Sequence, residues 1–147
     1  MSKLYKDGYL EAVVFVFYKD GKILVEKRSK KGEQDVFIPS GGVEQEDAKS
    51  GDYLVNALKR EISEELQGKI EIIEYKYLTS CRADAIKINF HAFVITKWKG
   101  SVPDFTVEDG KRFADLFWIS LSEYEKYLKF PSAVHLCEEL KRFIEER

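Results

Sequence analysis

Near the start of the chain, two runs of β-branched and aromatic residues stand on either side of a turn dipeptide. The first run extends from Tyr9 to Tyr18 and the second from Lys22 to Arg28. Between them, Asp20-Gly21 supplies the positive φ angles that a tight turn requires. The pattern therefore predicts a β-hairpin.

A short strand and a long helix are predicted next. Residues 35–38 form a mainly apolar run that stops at Pro39, and Gly41-Gly42 then opens a connection. Apolar residues recur every four positions after this connection, which predicts a helix over about 50–66. The recurring apolar positions are Leu54, Leu58, Ile62 and Leu66.

Beyond this helix the pattern returns to strands. Residues 70–80 and 86–98 are strand-like runs, and the second run alternates apolar with polar residues. The stretch 100–114 interrupts the pattern and is interpreted as a loop. Residues 116–119 then predict a last strand.

Two helices are predicted to close the chain. Ser120 and Glu123 match a capping box at the start of a short helix, and Pro131 opens a longer helix with an apolar face. The order of strands, helix, strands and helices is typical of a layered α+β domain. Since no repeat or linker interrupts this order, we expect one domain over residues 1–147.

Composition narrows the class of protein. The 147 residues are 44% hydrophobic and 34% charged, with a net charge of -2 and no long basic block. This balance argues against a nucleic acid polymer or an anionic membrane as partner. No stretch has the length of a membrane span, and the first residues lack the apolar segment of a signal peptide. We therefore expect a cytoplasmic protein whose two cysteines, Cys81 and Cys137, are free thiols.

Candidate chemistry is concentrated on the helix predicted over 50–66. At helical spacing, the carboxylates of Glu61, Glu64 and Glu65 share one arc of its surface. Each like-charge pair costs about 0.2–0.5 kcal/mol on a wet surface. Divalent cations with oxygen ligands, such as Mg²⁺, would offset this repulsion. The alternative is a helix face whose charges are simply solvated.

The same residues carry a family resemblance. Arg60, Glu61, Ile62, Glu64 and Glu65 match the core of the pattern G-x5-E-x7-R-E-U-x-E-E-x-G-U, in which U is a bulky aliphatic residue. The chain thus resembles the Nudix (MutT-like) hydrolases. Five matched positions behind a glycine pair are a far more specific signal than a lone glycine motif.

The chain departs from that pattern at three places. Asp52 stands where the pattern has glutamate, and we expect it to cap the helix. Gln67 stands where the pattern has its second glycine. Gly42 precedes Asp52 by ten residues instead of six, so four extra residues lie within 44–50. Because this segment is polar, we expect it to project into solvent and to tolerate deletion.

The resemblance implies both a fold and a reaction. The fold is a mixed β-sheet sandwiched between helices, in α/β/α layers. The reaction is hydrolysis of a nucleoside diphosphate linked to another group, by attack of water on phosphorus with Mg²⁺, for which Mn²⁺ can substitute. The implied metal ligands are the side chains of Glu61, Glu64 and Glu65 and the backbone carbonyl of Gly41. We take Glu61 as the general base, and Arg60 would orient a neighbouring glutamate.

Three further residues complete the implied site. Many family members supply an acidic residue from a loop between late strands, and Glu108 lies in the corresponding stretch; a solvated loop charge is the equal alternative. Arg28, at the end of the second strand, is the candidate for phosphate contact, with simple solvent exposure as the equal alternative. Phe37 is a candidate for stacking on a base, although aromatic residues in strands are more often core residues.

Two substrate classes remain within the hydrolase hypothesis. One is nucleoside triphosphates, including oxidised ones, and the other is diphosphate-linked molecules such as nucleotide sugars, ADP-ribose and dinucleoside polyphosphates. The proline or tyrosine that marks some family subgroups is absent from residues 83–86, which argues against ADP-ribose and dinucleoside polyphosphates. A non-catalytic nucleotide-binding domain is the alternative in another class, although such domains lose core glutamates that this chain keeps. The oligomeric state stays open, with a homodimer as one option.

Overall fold

The described residues, 2–28 and 35–146, form nine strands and two α-helices in this computed structural model. The strands are β1 (Tyr5–Lys6), β2 (Tyr9–Lys19), β3 (Lys22–Arg28), β4 (Val36–Phe37), β5 (Ser40–Gly42), β6 (Glu71–Ala83), β7 (Ile88–Lys99), β8 (Phe105–Glu108) and β9 (Lys111–Ser120). The helices are α1 (Tyr53–Glu65) and α2 (Pro131–Glu145), and short 3-10 helices cover Gln45–Ala48 and Leu121–Lys126. Within these residues, no helix combines the length and the apolar character needed to cross a membrane.

The strands belong to one mixed sheet. Its main path has the order β6, β7, β2, β3, β9, β8, while β1 and β5 also pair with β2, and β4 pairs with β3. β2 and β7 run parallel, and the other pairs are antiparallel. β2 pairs with β5 over Ala12–Val14 and with β3 at Tyr18–Lys19. The glycine strand β5 is therefore held beside β2 in the middle of the sheet.

The hairpin predicted near the start of the chain is formed by β2 and β3. Lys19 pairs with Lys22, and Asp20 and Gly21 between them have φ angles of 53° and 78°. Positive φ at both turn residues is the geometry of a type I′ turn, for which Asp-Gly is a favoured sequence. A local sequence signal was thus sufficient to predict this hairpin.

The two helices cover opposite faces of the sheet. Val13, Phe15 and Phe17 of β2 pack with α1 in one buried cluster, whereas Val14 and Val16 pack with α2 in another. Alternate residues of a strand point to opposite faces, so β2 contributes to both cores. Each fully buried Val or Phe side chain stabilises the fold by about 1.5–3 kcal/mol relative to exposure. The α/β/α layering that the resemblance implies is confirmed.

The loop predicted over 100–114 is found only at residues 100–104, and the prediction was wrong for the rest of the stretch. It contains β8 and the first part of β9, joined at Asp109-Gly110, where the φ angles are 52° and 74°. Exposed charged residues on both strands obscured the alternation. The Asp-Gly dipeptide is nevertheless the same turn signal as in the first hairpin. As a consequence, Glu108 lies at the tip of a hairpin.

The capping box predicted at Ser120 is not formed. Ser120 ends β9, and its side chain makes no capping hydrogen bond to the 3-10 helix over Leu121–Lys126. Instead, the backbone amide of Leu121 donates to the carbonyl oxygen of Gly21 at 2.9 Å. The chain thus stays attached to the first hairpin as the strand ends, and a 3-10 helix follows.

Both cysteines are free, as expected from the sequence. Cys81 is partly exposed on β6, while Cys137 is buried on α2. Burial raises the pKa of the Cys137 thiol to about 12. This thiol therefore stays protonated and unreactive at neutral pH.

Candidate active site

Helix α1 lies directly against the glycine strand β5. A Cβ atom added to Gly41 would lie 2.1 Å from Cδ of Glu61, which is closer than any real side chain tolerates. Glycine at this position therefore allows the backbone and the carboxylate to come together. The strand is fixed by the pairing of Gly41 with Val13 of β2.

The three glutamates of α1 occupy different environments. Glu61 and Glu65 are 8% and 6% exposed, whereas the Glu64 side chain is 58% exposed. They line a cleft of about 580 Å³ between α1, β5 and the tip of the β8–β9 hairpin. The other charged residues that line it, within the described part of the chain, are Lys3, Glu44, Glu108 and Asp109. The cleft is therefore strongly acidic.

Arg60 holds one side of the cleft together. Its Nε and Nη2 donate to the two carboxylate oxygens of Asp47 at 3.0 and 2.9 Å, and Nη2 also donates to the Gly42 carbonyl at 3.0 Å. Its Nη1 donates to Oε1 of Glu61 at 2.9 Å and lies 3.4 Å from both carboxylate oxygens of Glu64. Burial by itself lowers the pKa of Arg60, but hydrogen bonds to Asp47 and Glu61 outweigh burial and raise it. Arg60 thus contacts both Glu61 and Glu64, and its expected role of orienting a neighbouring glutamate stays a prediction.

The extra residues before α1 are exposed for the most part, as expected, but the expectation was wrong for Asp47, which is part of this arrangement. The Asp47 side chain is buried and accepts hydrogen bonds from Arg60 and, at 2.8 Å, from the Glu44 backbone amide. Asn56 of α1 donates to the Asp47 carbonyl at 3.0 Å. The 3-10 helix over Gln45–Ala48 is thereby fastened to α1. A polar composition does not distinguish an exposed loop from one whose single buried carboxylate pairs with an arginine.

Glu65 is buried close to Glu61, and its environment favours the protonated form. Burial raises the pKa of Glu65 well above its ordinary value, and a hydrogen bond with Glu61 raises it further. The negative charges of Glu61, Glu26 and Glu108 act in the same direction. Without a bound cation, Glu65 is therefore protonated at neutral pH. Its Oε2 is buried and has no partner among the described residues.

Glu26 of β3 is a residue near the cleft that the sequence analysis missed. It is 2% exposed and follows three buried apolar residues of its strand. Burial raises the pKa of Glu26 to about 7, while the charge of Arg28 lowers it and that of Glu108 raises it. The sequence did contain a signal for the burial of Glu26. Glu26 lies two residues after Leu24, so both side chains are on the same face of β3, and Leu24 packs against α1.

Because buried carboxyl groups favour their neutral form, we expect the free energy of unfolding to fall with rising pH when no divalent cation is present. The pKa of Glu26 is raised by burial from 4.5 to about 7, so its neutral form favours folding below pH 4.5. This contribution, about 3 kcal/mol, is lost as the pH rises through 7. We expect the Tm in EDTA to fall between about pH 5 and 8, and to fall less in Glu26→Gln. A wild-type Tm that rises over this range would contradict a buried, neutral Glu26.

Asp52 caps α1, as expected. Its Oδ1 accepts hydrogen bonds from the backbone amides of Leu54 and Val55 at 3.0 and 3.3 Å, and it does not line the cleft. We expect Asp52→Ala to lower the free energy of unfolding by about 1 kcal/mol. The Mg²⁺ concentration that gives half-maximal hydrolysis should not change. Denaturant unfolding and a Mg²⁺ titration of activity measure the two effects, and a shifted Mg²⁺ requirement would assign Asp52 to the metal site.

Arg28 and Phe37 lie together but do not line the acidic cleft. The guanidinium carbon of Arg28 is 4.2 Å from the centroid of the Phe37 ring and 5.2 Å from that of Phe113. Phe37 stacks on Phe130 with the ring centroids 5.2 Å apart. The structure thus gathers Gly41, the α1 residues and Glu108 around one cleft, and places the two candidates for substrate contact in a neighbouring aromatic cluster.

The donor atoms of the cleft suit a hard divalent cation. In the described part of the chain, no three His, Cys, Asp or Glu side chains are already gathered as a ligand set. The donors that fit are the partnerless Oε2 of Glu65, the Glu61 carboxylate against the Gly41 backbone, and the exposed Glu64. All of these are oxygen ligands of the kind that Mg²⁺ prefers.

Comparison with known proteins gives a family and a relative. The family model for the NUDIX domain matches residues 9–138. An 8-oxo-dGTP diphosphatase of Buchnera aphidicola subsp. Schizaphis graminum (strain Sg) is 31% identical over 139 residues, which cover 92% of this chain and 96% of that protein. The resemblance noted in the sequence is therefore confirmed along nearly the whole chain.

Solved structures share the fold. The solution structure of the E. coli ORF135 protein has 26% sequence identity and a TM-score of 0.71, covering 95% of this chain and 93% of that one. A MutT NUDIX hydrolase from Burkholderia pseudomallei has 21% identity and a TM-score of 0.68, covering 88% and 96%, and shows the fold alone. From its matched family model and its 31% identical relative, this chain belongs to the Nudix hydrolase family.

Proposed function

We propose that this protein is a Mg²⁺-dependent pyrophosphohydrolase that converts a nucleoside triphosphate and water into a nucleoside monophosphate and pyrophosphate. The observation that carries the proposal is the acidic cleft, in which the three α1 glutamates meet the glycine backbone at Gly41 and the hairpin residue Glu108. The 31% identical relative is named an 8-oxo-dGTP diphosphatase, which supports an oxidised nucleoside triphosphate as the first substrate to test.

The metal would be held by oxygen ligands from two elements. We assign Glu61, Glu64 and Glu65 of α1 and the backbone carbonyl of Gly41 to this role. Mn²⁺ prefers similar ligands and would substitute for Mg²⁺. When bound, the cation neutralises charge on the phosphates and lowers the pKa of the attacking water.

Glu61 is the proposed general base. Its carboxylate accepts a proton from water while the water oxygen bonds to a phosphorus of the triphosphate chain and the bond from that phosphorus to the bridging oxygen of the leaving group breaks. Arg60, 2.9 Å from Glu61 Oε1, keeps this carboxylate oriented. Glu108 supplies a further acidic group from the hairpin on the other side of the cleft.

Two basic residues and an aromatic pair are proposed for substrate contact. Arg28 is assigned to a phosphate group, and the stacked rings of Phe37 and Phe130 offer a surface for a base. Lys3, which the sequence analysis did not single out, lines the cleft and lies over Gly42. It is a second candidate for phosphate contact.

Initial rates on a panel of nucleotides with Mg²⁺ test the proposal. The panel contains 8-oxo-dGTP, the ordinary nucleoside triphosphates, ADP-ribose, a nucleotide sugar and a dinucleoside polyphosphate. We expect a triphosphate to have the highest kcat/KM, by at least about tenfold, and to release pyrophosphate. Hydrolysis confined to the diphosphate-linked compounds, or release of orthophosphate from triphosphates, would contradict the proposal. Nucleotide binding without hydrolysis would support the non-catalytic alternative.

Location and assembly stay predictions. The composition predicts a cytoplasmic protein that acts on a small nucleotide and does not bind a nucleic acid polymer. A homodimer is compatible with this function, and sedimentation analysis of the purified protein would test for it.

A further inference from the structure

Four buried polar side-chain atoms lack a hydrogen-bond partner among the residues that the structure describes. They are Oε2 of Glu26, Nε of Arg28, Oε2 of Glu65 and Oγ1 of Thr106. A buried polar atom without a partner is unfavourable, and more so when it carries charge. Such atoms are few in native proteins, so a group of them calls for a physical reason.

The register of the sheet brings these atoms to one face. Arg28 of β3 pairs with Ala114 of β9, and Ala114 pairs in turn with Thr106 of β8. Directly paired residues point to the same side of a sheet. Glu26, two residues before Arg28, shares that side. This is the face covered by α1, which carries Glu65.

Glu26 and Glu65 contribute the two carboxyl groups of this set. They are 2% and 6% exposed, and each has one carboxylate oxygen without a partner. The charge of Glu26 acts on Glu65, and the charge of Glu108 acts on both. A divalent cation takes oxygen ligands and would give both bare oxygens a partner.

Glu11 of β2 shows how this chain buries a carboxylate without a cation. It is 3% exposed, and its Oε1 accepts a hydrogen bond from the Tyr53 hydroxyl at 2.7 Å and lies 3.1 Å from Nε2 of His91. Its Oε2 accepts a hydrogen bond from the Asn89 amide at 3.0 Å. Both oxygens are therefore satisfied by protein groups. Oε2 of Glu26 has no such donor among the described residues.

We infer that Glu26 is an additional ligand of the divalent-cation centre and that, together with Glu65, it binds a cation at an inner position behind the cleft. The inference rests on the proposed function, because it takes the cleft to bind metal, but it adds a residue from β3 that the α1 motif does not contain. The hydroxyl of Thr106 is a further oxygen on the same face. An inner cation would hold the Glu65 side chain in place beneath the outer ligands.

Counting bound Mn²⁺ on the purified full chain tests the inference, with electron paramagnetic resonance of the free ion as the readout. We expect the wild type to bind one more Mn²⁺ per chain than Glu26→Gln, or to bind its weakest Mn²⁺ at least about tenfold more tightly. Glu11→Gln is the matched control, since it neutralises an equally buried glutamate of the same sheet. It should keep the wild-type Mn²⁺ count.

The outcomes separate this inference from the proposed function. Equal Mn²⁺ counts and affinities in the wild type and Glu26→Gln would overturn the inference, while wild-type hydrolysis would leave the proposed function standing. A wild type that binds no Mn²⁺ would overturn both. If Glu26→Gln does not fold, the inference is tested instead by anomalous scattering from wild-type crystals soaked in Mn²⁺. A peak within about 2.5 Å of a Glu26 oxygen supports the inference, and a Mn²⁺ bound elsewhere without such a peak overturns it.

Discussion

Replacing Glu64 with glutamine is expected to lower kcat/KM for Mg²⁺-dependent hydrolysis about a thousandfold, close to 4 kcal/mol in the barrier. The Glu64 side chain is exposed on the wall of the cleft, so glutamine removes its charge without disturbing the packing of α1. Hard cations bind a neutral amide more weakly than a carboxylate. The Tm in EDTA should stay the same or rise slightly, because repulsion on the helix is relieved. Steady-state kinetics and thermal melting measure the two effects.

Two further variants serve as controls for the expected loss of activity in Glu64→Gln. Lys59→Gln removes an exposed charge from the same helix outside the cleft, and its activity should stay within about twofold of the wild type. Glu65→Gln should lose activity as severely as Glu64→Gln. It should also raise the Tm in EDTA at pH 8, because a buried acid with a raised pKa is replaced by a neutral group. A loss below about tenfold in Glu64→Gln would contradict its role as a metal ligand.

The second large effect is expected at Asp47. Asp47→Asn keeps the shape of the side chain but removes the charge that pairs with Arg60 through two hydrogen bonds. Since Arg60 is proposed to orient Glu61, we expect kcat/KM to fall by up to about a hundredfold. The free energy of unfolding should fall by about 2 kcal/mol, less than for a fully buried pair because Arg60 is partly exposed. Kinetics and urea unfolding measure these losses.

Glu46→Gln is the matched control for Asp47→Asn. Glu46 lies in the same 3-10 helix but is exposed, and its ion pair with Lys49 is exposed as well, so its loss should change stability by less than about 1 kcal/mol. Deletion of residues 46–49, which the sequence alone predicted to be harmless, should instead behave like Asp47→Asn. Wild-type activity in Asp47→Asn would show that the catalytic contribution of Arg60 does not depend on its ion pair with Asp47.

Elements specified by neighbouring residues were predictable from the sequence. Asp20-Gly21 determines its turn through the φ angles of those two residues, and α1 follows from apolar residues one helical turn apart. The same turn signal at Asp109-Gly110 was overlooked because the strands on either side expose many charged residues. The meeting of the α1 glutamates and Gly41 in one cleft was predictable as well, because the motif on α1 and the nearby glycines are short, contiguous patterns.

The sequence could at most mark Glu26 as a carboxylate at an inward position, and it could not predict the roles of Glu26 and Asp47, because those roles depend on distant parts of the chain. Asp47 is an ordinary polar residue until α1 folds back and places Arg60 against it. Glu26 looks like one charge in a strand, and its burial beside Glu65 follows from how α1 packs on the sheet. Long-range packing decides whether a carboxylate is solvated, paired or left without a partner.

Thermal melting of the wild type in millimolar Mg²⁺ and in EDTA tests most directly whether the α1 carboxylates form a divalent-cation site. A cation that binds the folded chain at about ten times its Kd stabilises it by about 1.4 kcal/mol, or about 3–6 °C in Tm. We predict this rise with Mg²⁺ and with Mn²⁺, and we predict that it is lost in Glu64→Gln. A wild-type Tm that is the same in EDTA, Mg²⁺ and Mn²⁺ would contradict a divalent-cation site on α1.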